Sequence, residues 1–586
     1  MQNVAQKRAA AGQGLGIQTR TEGTIVEMLA AQLAALGVEE AFGVSGGAIA
    51  LVFDALQESQ ISLRHFRHES GAAFAATEAH FASGKPTVVF ATTGPGLLNS
   101  LTGMTAARWD GAKVILISGA TNSPQRGRWA SQETSSYTMP QDMLYTQGPI
   151  FDMAVRMEHA SELPEVLRRL SLGMARPGGF IAHVCMPMSV QSNRIDMPRL
   201  LPRTEQQPPT ASAEIVAQCA KQFKTDSFAI WAGFGATQAA PLVQELAERT
   251  GAMVFCSPRA KGIIPEDHPQ YLGVTGLGGH TTVTEYMIQH QPQWVLVLGT
   301  RLGEATSFWD SDMVPQAGFV HVDIDPQVPG TSYPEAHTLG IQADVGLFVR
   351  DLLEHFPTGA PYQTPSPARR PDWDDPMPMR LAGRGPVRPQ MLMRAIQRIV
   401  IEESDALILA ECGNSFAWCN HHLKFPEPQR YRVSTLFGSM GHTATGVVGA
   451  ALATGTKAVA VVGDGSMLMN SEVSSAAQYQ TPAVWIVLND AGYGMCRDGH
   501  CALGLTGENV EIPRVDFVAF ARSMGADGVQ VETEDELEQA LRTAIEAEGP
   551  FVVDVTVDTS EPSPLLSRFE SLIKQGNSKN VAGWER

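Results

Sequence analysis

Residues 458–470 read Ala-Val-Ala-Val-Val-Gly-Asp-Gly-Ser-Met-Leu-Met-Asn, and the pattern returns at 484–493 as Val-Trp-Ile-Val-Leu-Asn-Asp-Ala-Gly-Tyr. Each is a short β-rich run ending in a turn that bears an acid. Each therefore places a carboxylate at the carboxyl end of a buried strand, where open parallel sheets bind their ligands. The interval holds one helix, expected over 471–480, and a strand–helix–strand connection of this length is the right-handed crossover of a parallel sheet. Strands 458–462 and 484–488 are thus set side by side. Asp464 and Asp490, twenty-six residues apart, come to one end of the sheet. Two carboxylates and a turn carbonyl at Gly492, beside the backbone of Gly463, Gly465 and Ser466, suit a hard divalent cation that also holds phosphate oxygens, as magnesium does. The expected ligand is a diphosphate. Gly-Asp-Gly alone better suits a tight turn capping a helix, and it is the second acid at fixed spacing that favours the ligand.

The same rhythm runs through the rest of the chain. With 586 residues it exceeds a single core, and ordinary domain sizes divide it into about three or four units. The first, 21–195, opens on a capping box of Thr24 and Glu27 before an apolar helix stopped at Gly37. Its strands are expected at 41–44, 62–65, 87–91 and 113–118, with helices at 70–83 and 97–109. A Pro-rich stretch over 197–209 marks a boundary. The second unit, 211–351, has strands at 227–231, 253–256, 294–298 and 319–324. Residues 352–389, dense in Pro and charge, read as a linker. The third unit, 390–560, contains the opening motif, and 561–586 reads as a tail. Strands alternating with helices predict an α/β fold of three doubly wound parallel sheets.

Composition narrows the function. An apolar content of 44% with 18% charged residues describes a well-buried enzyme, and a net charge of −18 argues against nucleic acid or an anionic membrane as the main partner. The seven cysteines form no Cys-x-x-Cys pair and no zinc spacing, so reduced thiols in a cytoplasm are the simplest reading. Residues 1–20 carry Lys7, Arg8 and Arg20 without an acid or an apolar stretch of signal length, which suggests a mobile arm. No apolar run is long enough to span a membrane.

Gly463-Asp464-Gly465 with Asn489-Asp490 resembles the signature of thiamine diphosphate enzymes, in which Gly-Asp-Gly is followed some two dozen residues on by Asn-Asn; here the second Asn is Asp490. Arg67-His68-Glu69-Ser70-Gly71-Ala72-Ala73 resembles a segment of the acetolactate-synthase-like members. The resemblance implies that Glu69 holds N1′ of the cofactor's aminopyrimidine and so lets N4′ take the C2 proton. Taken alone, a Glu in a first helical turn would only favour the helix dipole. Thr93-Gly94-Pro95-Gly96 with Asn99 matches a turn placed near the pyrimidine, and Gly46-Gly47, which resemble part of the family's first strand-turn, are cofactor-binding candidates. Gly438-Ser439-Met440-Gly441 resembles the turn whose carbonyl accepts from N4′ and whose Met bends the cofactor, while Gly413-Asn414 and Tyr493-Gly494-Met495 match segments around the diphosphate.

The resemblance covers about residues 20–560 and implies pyrimidine-binding, central and diphosphate-binding domains, thiamine diphosphate and Mg²⁺ as cofactors, and a homodimer or homotetramer with active sites between subunits. The central domain binds flavin (FAD) or an adenosine diphosphate group in some members. Without a Gly-x-Gly-x-x-Gly fingerprint, a scaffold role is favoured here.

The activity implied is decarboxylation of a small 2-oxo acid such as pyruvate and transfer of its acyl unit to an acceptor carbonyl. Gln132-Glu133 stands where pyruvate decarboxylases show a His pair, and Gln132 is a catalytic candidate. Acetolactate synthases carry Gly at the position of Gly47 and a selective Trp four residues after the Met matched by Met495; here that residue is Gly499, followed by His500, a candidate proton donor. An acceptor larger than that of acetolactate synthase is expected. A simple decarboxylase, a flavin-linked oxidase and a non-catalytic cofactor-binding paralogue are the alternatives.

Overall fold

The structure, a computed structural model, describes residues 22–138, 142–196, 200–201, 204–359, 361–362, 368–372, 385–505 and 509–574. The expected arm at 1–20 and much of the expected linker lie outside these residues.

Three six-stranded sheets, parallel throughout, carry the fold. In the first unit the strands are Glu40–Gly43, Ser62–His65, Thr87–Ala91, Lys113–Ala120, Met153–Arg156 and Phe180–Pro187, arranged in space as second, first, third, fourth, sixth, fifth. Leu407–Ala410, Tyr431–Val433, Ala458–Gly463, Ala483–Asn489, Asp527–Val531 and Phe551–Thr556 repeat that order in the third. The central unit is wound as third, second, first, fourth, fifth, sixth, from Phe228–Ala232, Met253–Cys256, Tyr271–Val274, Trp294–Leu298, Gly318–Asp323 and Thr338–Gln342. Winding reverses beside the first strand of each sheet, and a crevice opens there at the carboxyl ends of the two strands that diverge.

Burial on both faces explains why the strands at the centre of each sheet read as unbroken apolar runs. In Ala458–Gly463 and Ala483–Asn489, every residue but Gly463 is buried. The two pair from Ala458 with Ala483 to Gly463 with Leu488, which leaves Asp464 and Asp490 at neighbouring strand ends. The intervening helix spans Val473–Tyr479. A short antiparallel pair, Glu22–Thr24 with Arg194–Asp196, joins the two ends of the first unit, and the capping box at Thr24 forms as expected.

The first and third units meet through helices Glu69–Ser83 and His442–Thr454, which are lined with small residues. A Cβ at Gly449 would lie 2.0 Å from the carbonyl oxygen of Ala75, so the backbones approach only because no side chain intervenes. Buried ions pin this contact. The Glu78 carboxylate accepts from Arg432 Nε at 3.0 Å and from His442 Nε2 at 2.9 Å. The Arg432 guanidinium lies 3.9 Å from the Phe81 ring centroid, while Arg259 of the central unit stacks 4.1 Å from Phe234 and donates to the Asp110 carbonyl at 3.1 Å.

Burial works against both charges of the Glu78–His442 pair, but the partners outweigh it. Glu78 is held far below its ordinary value by Arg432 and His442, and His442 is raised by Glu78. Glu78 therefore contributes stability above the ordinary carboxylate value of 4.5 that is lost as pH falls through its depressed value, and His442 contributes stability below 6.5 that is lost as pH rises through its raised value. Between those values both contribute. Glu78→Gln is expected to cost about 3–5 kcal/mol at pH 6, because it strands buried cations. Urea unfolding followed from pH 3 to 8 checks this, and an unchanged midpoint at pH 6 would show the pair to be energetically idle.

Candidate active site

At the winding reversal of the third sheet, strands Leu407–Ala410 and Ala458–Gly463 diverge and a cavity of about 590 Å³ opens above them. Its wall includes Gly413, Asn414, Gly438, Met440, Gly463, Asp464, Gly465 and Ser466, and across from them Asp490, Gly492, Tyr493, Gly494, Met495, Gly499 and His500. All the candidates named on this unit are therefore gathered in one place.

Asp464 is buried and opens a helical turn at the end of its strand. Its Oδ1 accepts from the Gly465 amide at 2.7 Å and its Oδ2 from the Gly492 amide at 3.1 Å, so one carboxylate joins the two strand-end turns. Burial and the nearby Asp490 charge push it up to about 6. Burial also raises Asp490, against the opposing pull of Arg497. Two desolvated acids repelling one another have the donor chemistry of a divalent-cation site. Nearby, Asn414 Nδ2 donates to Asp498 at 3.0 Å while Asn414 Oδ1 is buried without a hydrogen-bond partner, an acceptor left for a bound group. The residues present thus fit magnesium and a diphosphate.

Glu411 supports this half from behind. Fully buried, it accepts from the Thr443 and Ala444 amides at 3.0 Å each, which fixes the start of the helix that follows the Gly438–Gly441 turn. Its partners lie 32 and 33 residues on and are brought to it only by the fold.

A second group gathers on the first unit. Glu69 is buried as the first residue of its helix and accepts from Asn99 Nδ2 at 3.1 Å. Gly94 holds φ +65°, and a Cβ there would lie 2.8 Å from the Gln132 carbonyl oxygen, so the turn before Pro95 requires glycine on both counts. Thr93 Oγ1 donates to that same Gln132 carbonyl at 3.2 Å. Gly46 packs against Thr92, while a Cβ at Gly47 would meet nothing within 4 Å. Gln132 itself is exposed, as is Trp129 three residues earlier at 94%. None of Gly46, Gly47, Glu69, Thr93, Gly94, Pro95, Asn99 or Gln132 lines the 590 Å³ cavity of its own chain.

Glu472, unremarked in the sequence, ties the two halves together. Its buried carboxylate accepts from the amides of Arg67 at 3.1 Å and His68 at 3.0 Å, immediately before Glu69. The segment after 560 carries helix Leu566–Lys574, and Glu561, Ser563 and Arg568 line the cavity, so the part described lies against the site instead of trailing from it.

The central sheet has its own crevice, about 310 Å³, beside Arg259, Arg301 and Asp323. There the Gly235 amide donates to the Gly299 carbonyl at 2.9 Å, and a Cβ at Gly233 would lie 2.4 Å from that oxygen. Turn-to-turn packing accounts for these glycines. Lys261 and Glu266 of the central unit form a buried ion pair at 3.0 Å, and Lys261 also donates to the Asn420 carbonyl at 3.1 Å, which fastens the central unit to the third. All seven cysteines are free, and no helix among the described residues is long and apolar enough to cross a membrane.

Comparison with known proteins finds three family models along the chain. The N-terminal TPP binding domain of thiamine pyrophosphate enzymes matches residues 23–139, the central domain 222–352 and the C-terminal TPP binding domain 411–555. The acetolactate synthase isozyme 2 large subunit of Escherichia coli is 26% identical over 545 residues, covering 90% of this chain and 94% of that protein. The acetolactate synthase large subunit of Haemophilus influenzae is 28% identical over 567 residues, with 91% and 94% covered. Among solved structures, the thiamine diphosphate-dependent 4-hydroxybenzoylformate decarboxylase of Rhodococcus jostii RHA1 superposes with a TM-score of 0.78 at 19% identity, over 92% of this chain and 99% of that one. Benzoylformate decarboxylase from Polynucleobacter necessarius gives 0.79 at 20% identity, with the same shares covered.

Proposed function

The chain belongs to the thiamine pyrophosphate enzymes, and on that premise we propose that it decarboxylates a small 2-oxo acid, with pyruvate as the first candidate, and joins the acyl unit to an acceptor carbonyl larger than the one acetolactate synthase uses. Bound thiamine diphosphate supplies a carbon nucleophile and an electron sink for such chemistry. The chain's own groups supply the rest. Asp464, Asp490 and the Gly492 carbonyl would hold magnesium against the diphosphate. Asn414 Oδ1, Gly465 and Ser466 offer polar groups to the same end, and Met440 and Tyr493, which line the cavity beside Gly465, would pack against the cofactor. Glu69 would hold the proton at the pyrimidine N1′. Gln132 and His500 would bind the substrate or move a proton.

Since the Glu69 group does not line the cavity of its own chain, the reading includes a second copy of the chain. The first unit of one subunit would close over the third unit of its partner. The 94% exposure of Trp129 beside Gln132 supports a covered surface there. A cytoplasmic setting with reduced cysteines belongs to the same reading, and flavin does not.

The observation that carries the acceptor assignment is empty space. At Gly47 and at Gly499 an added Cβ would meet nothing within 4 Å, and Gly499 lines the cavity on helix Gly494–Ala502. An aromatic side chain buries about 150–250 Å², so its absence leaves room for an acyl chain or ring. Gly499→Trp is expected to cut the product from a bulky acceptor at least tenfold while donor consumption stays within about threefold. Incubation of wild type and variant with a panel of 2-oxo acids and aldehydes, with products identified by mass, checks this. A wild type that makes only acetolactate, or a variant that loses large and small products equally, overturns it; aldehyde released in step with CO₂ would identify a simple decarboxylase.

A further inference from the structure

The resemblance places a neutral amide where this chain has Asp490, and the substitution adds a negative charge facing a diphosphate. Within hydrogen-bond reach, however, Arg497 Nη2 lies 2.6 Å from Asp490 Oδ2. The approach is built into the turn. A Cβ at Gly494 would sit 2.6 Å from that same oxygen, so a side chain there would push the carboxylate out of its present contact with Arg497. The adjacent acid looks elsewhere: Asp498 is engaged by Asn414 Nδ2 and by the Ser563 hydroxyl, which leaves Arg497 to Asp490. Both members of the pair line the cavity, and the pair is partly exposed, with side chains 27% and 16% accessible.

We propose that Asp490 and Arg497 together replace the single amide: a carboxylate oxygen serves the metal, as the amide oxygen would, and the guanidinium returns the local charge to neutral. Arg497 is then a positioning residue. It holds Oδ2, leaves Oδ1 for the cation, and keeps the diphosphate from meeting an uncompensated second carboxylate beside Asp464. The inference rests on the proposed metal site at Asp464 and Asp490. Unlike a general electrostatic preference for arginine near phosphate, it requires that the effect of losing Arg497 depend on Asp490.

A double-mutant cycle on the full-length protein tests this dependence. Magnesium-dependent binding of thiamine diphosphate is titrated by intrinsic tryptophan fluorescence for wild type, Arg497→Gln, Asp490→Asn and the double variant. Arg497→Gln is expected to weaken binding at least tenfold, Asp490→Asn to bind as tightly as wild type or tighter, and the double variant to return to within about threefold of wild type. Thermal midpoints of the cofactor-free proteins control for folding. Arg497→Gln binding like wild type, or a double variant as weak as Arg497→Gln, overturns the compensation. The metal reading is judged separately by Asp464→Ala: if that variant binds normally the site itself is misplaced, and if it fails while the cycle is additive only the role of Arg497 falls.

Discussion

Glu69→Gln is expected to slow hydrogen–deuterium exchange at C2 of the bound cofactor by about 10²–10⁴, the usual contribution of a positioned general acid–base group, while thiamine diphosphate affinity stays within about tenfold. The substitution is nearly isosteric. Glu69 begins its helix with its backbone fixed by the Glu472 contacts to Arg67 and His68, and its Oε2 is held by Asn99. A Gln carbonyl can keep the Asn99 hydrogen bond. What Gln cannot do is exchange a proton at the pyrimidine, so the loss falls on chemistry and not on placement. A merely helix-stabilising Glu would give a small change in the unfolding midpoint and no change in exchange. An unchanged exchange rate would remove Glu69 from the mechanism.

Most parts of the fold that were legible in the sequence are buried on both faces, and the half-buried edge strand Ser62–His65 was legible as well. Strands Ser62–His65, Thr87–Ala91, Met253–Cys256 and Trp294–Leu298 lie at the residues their β-rich runs predict. Two of those that escaped are of a different kind. Phe180–Pro187 is wholly buried but carries His183, Cys185 and Pro187, which interrupt the apolar pattern, and Thr338–Gln342 at a sheet edge is mostly accessible. The identical winding of the first and third units is invisible residue by residue, because winding is a property of which strands pair and the apolar pattern of a central strand is the same whatever its neighbours.

For the site, local turns were legible and long-range partners were not. Gly94, Asp464 and Gly492 could be singled out because a turn that needs glycine or exposes an acid at a strand end leaves a mark within a few residues. Glu472 left none: a Glu opening a helix is ordinary, and its value lies in two amides about 400 positions away. Arg497 was hidden for a related reason. It stands seven residues after Asp490, and only the loop and the glycine at 494 bring the two together.

Asp464→Ala is expected to abolish magnesium and thiamine diphosphate binding together, by at least about 100-fold each, since loss of even an outer partner of a metal ligand costs 10–100-fold. The argument starts from what the carboxylate does without ligand. It accepts from the Gly465 and Gly492 amides, and alanine would leave both donors facing the cavity and one acid, Asp490, as the remaining carboxylate for a cation. Asp464→Asn keeps one oxygen and should retain part of the affinity. Loss of binding must then be told from loss of fold, and the charge supplies the control. Because burial and Asp490 raise Asp464 from 3.8 to about 6, its ionised form is unfavourable in the folded, cofactor-free protein. Its stability contribution is therefore greatest at low pH and declines as pH rises from about 4 to about 6. Removing the acid takes that penalty away, so cofactor-free Asp464→Ala should unfold at or above the wild-type temperature at pH 7.5, less whatever the two amide hydrogen bonds contributed, about 0.5–1.5 kcal/mol each. Calorimetric titration of metal and cofactor, paired with thermal unfolding of the cofactor-free proteins, separates the outcomes. Retained cofactor affinity with magnesium lost would show that the metal does not bridge protein and diphosphate, and retention of both would move the site away from Asp464 altogether.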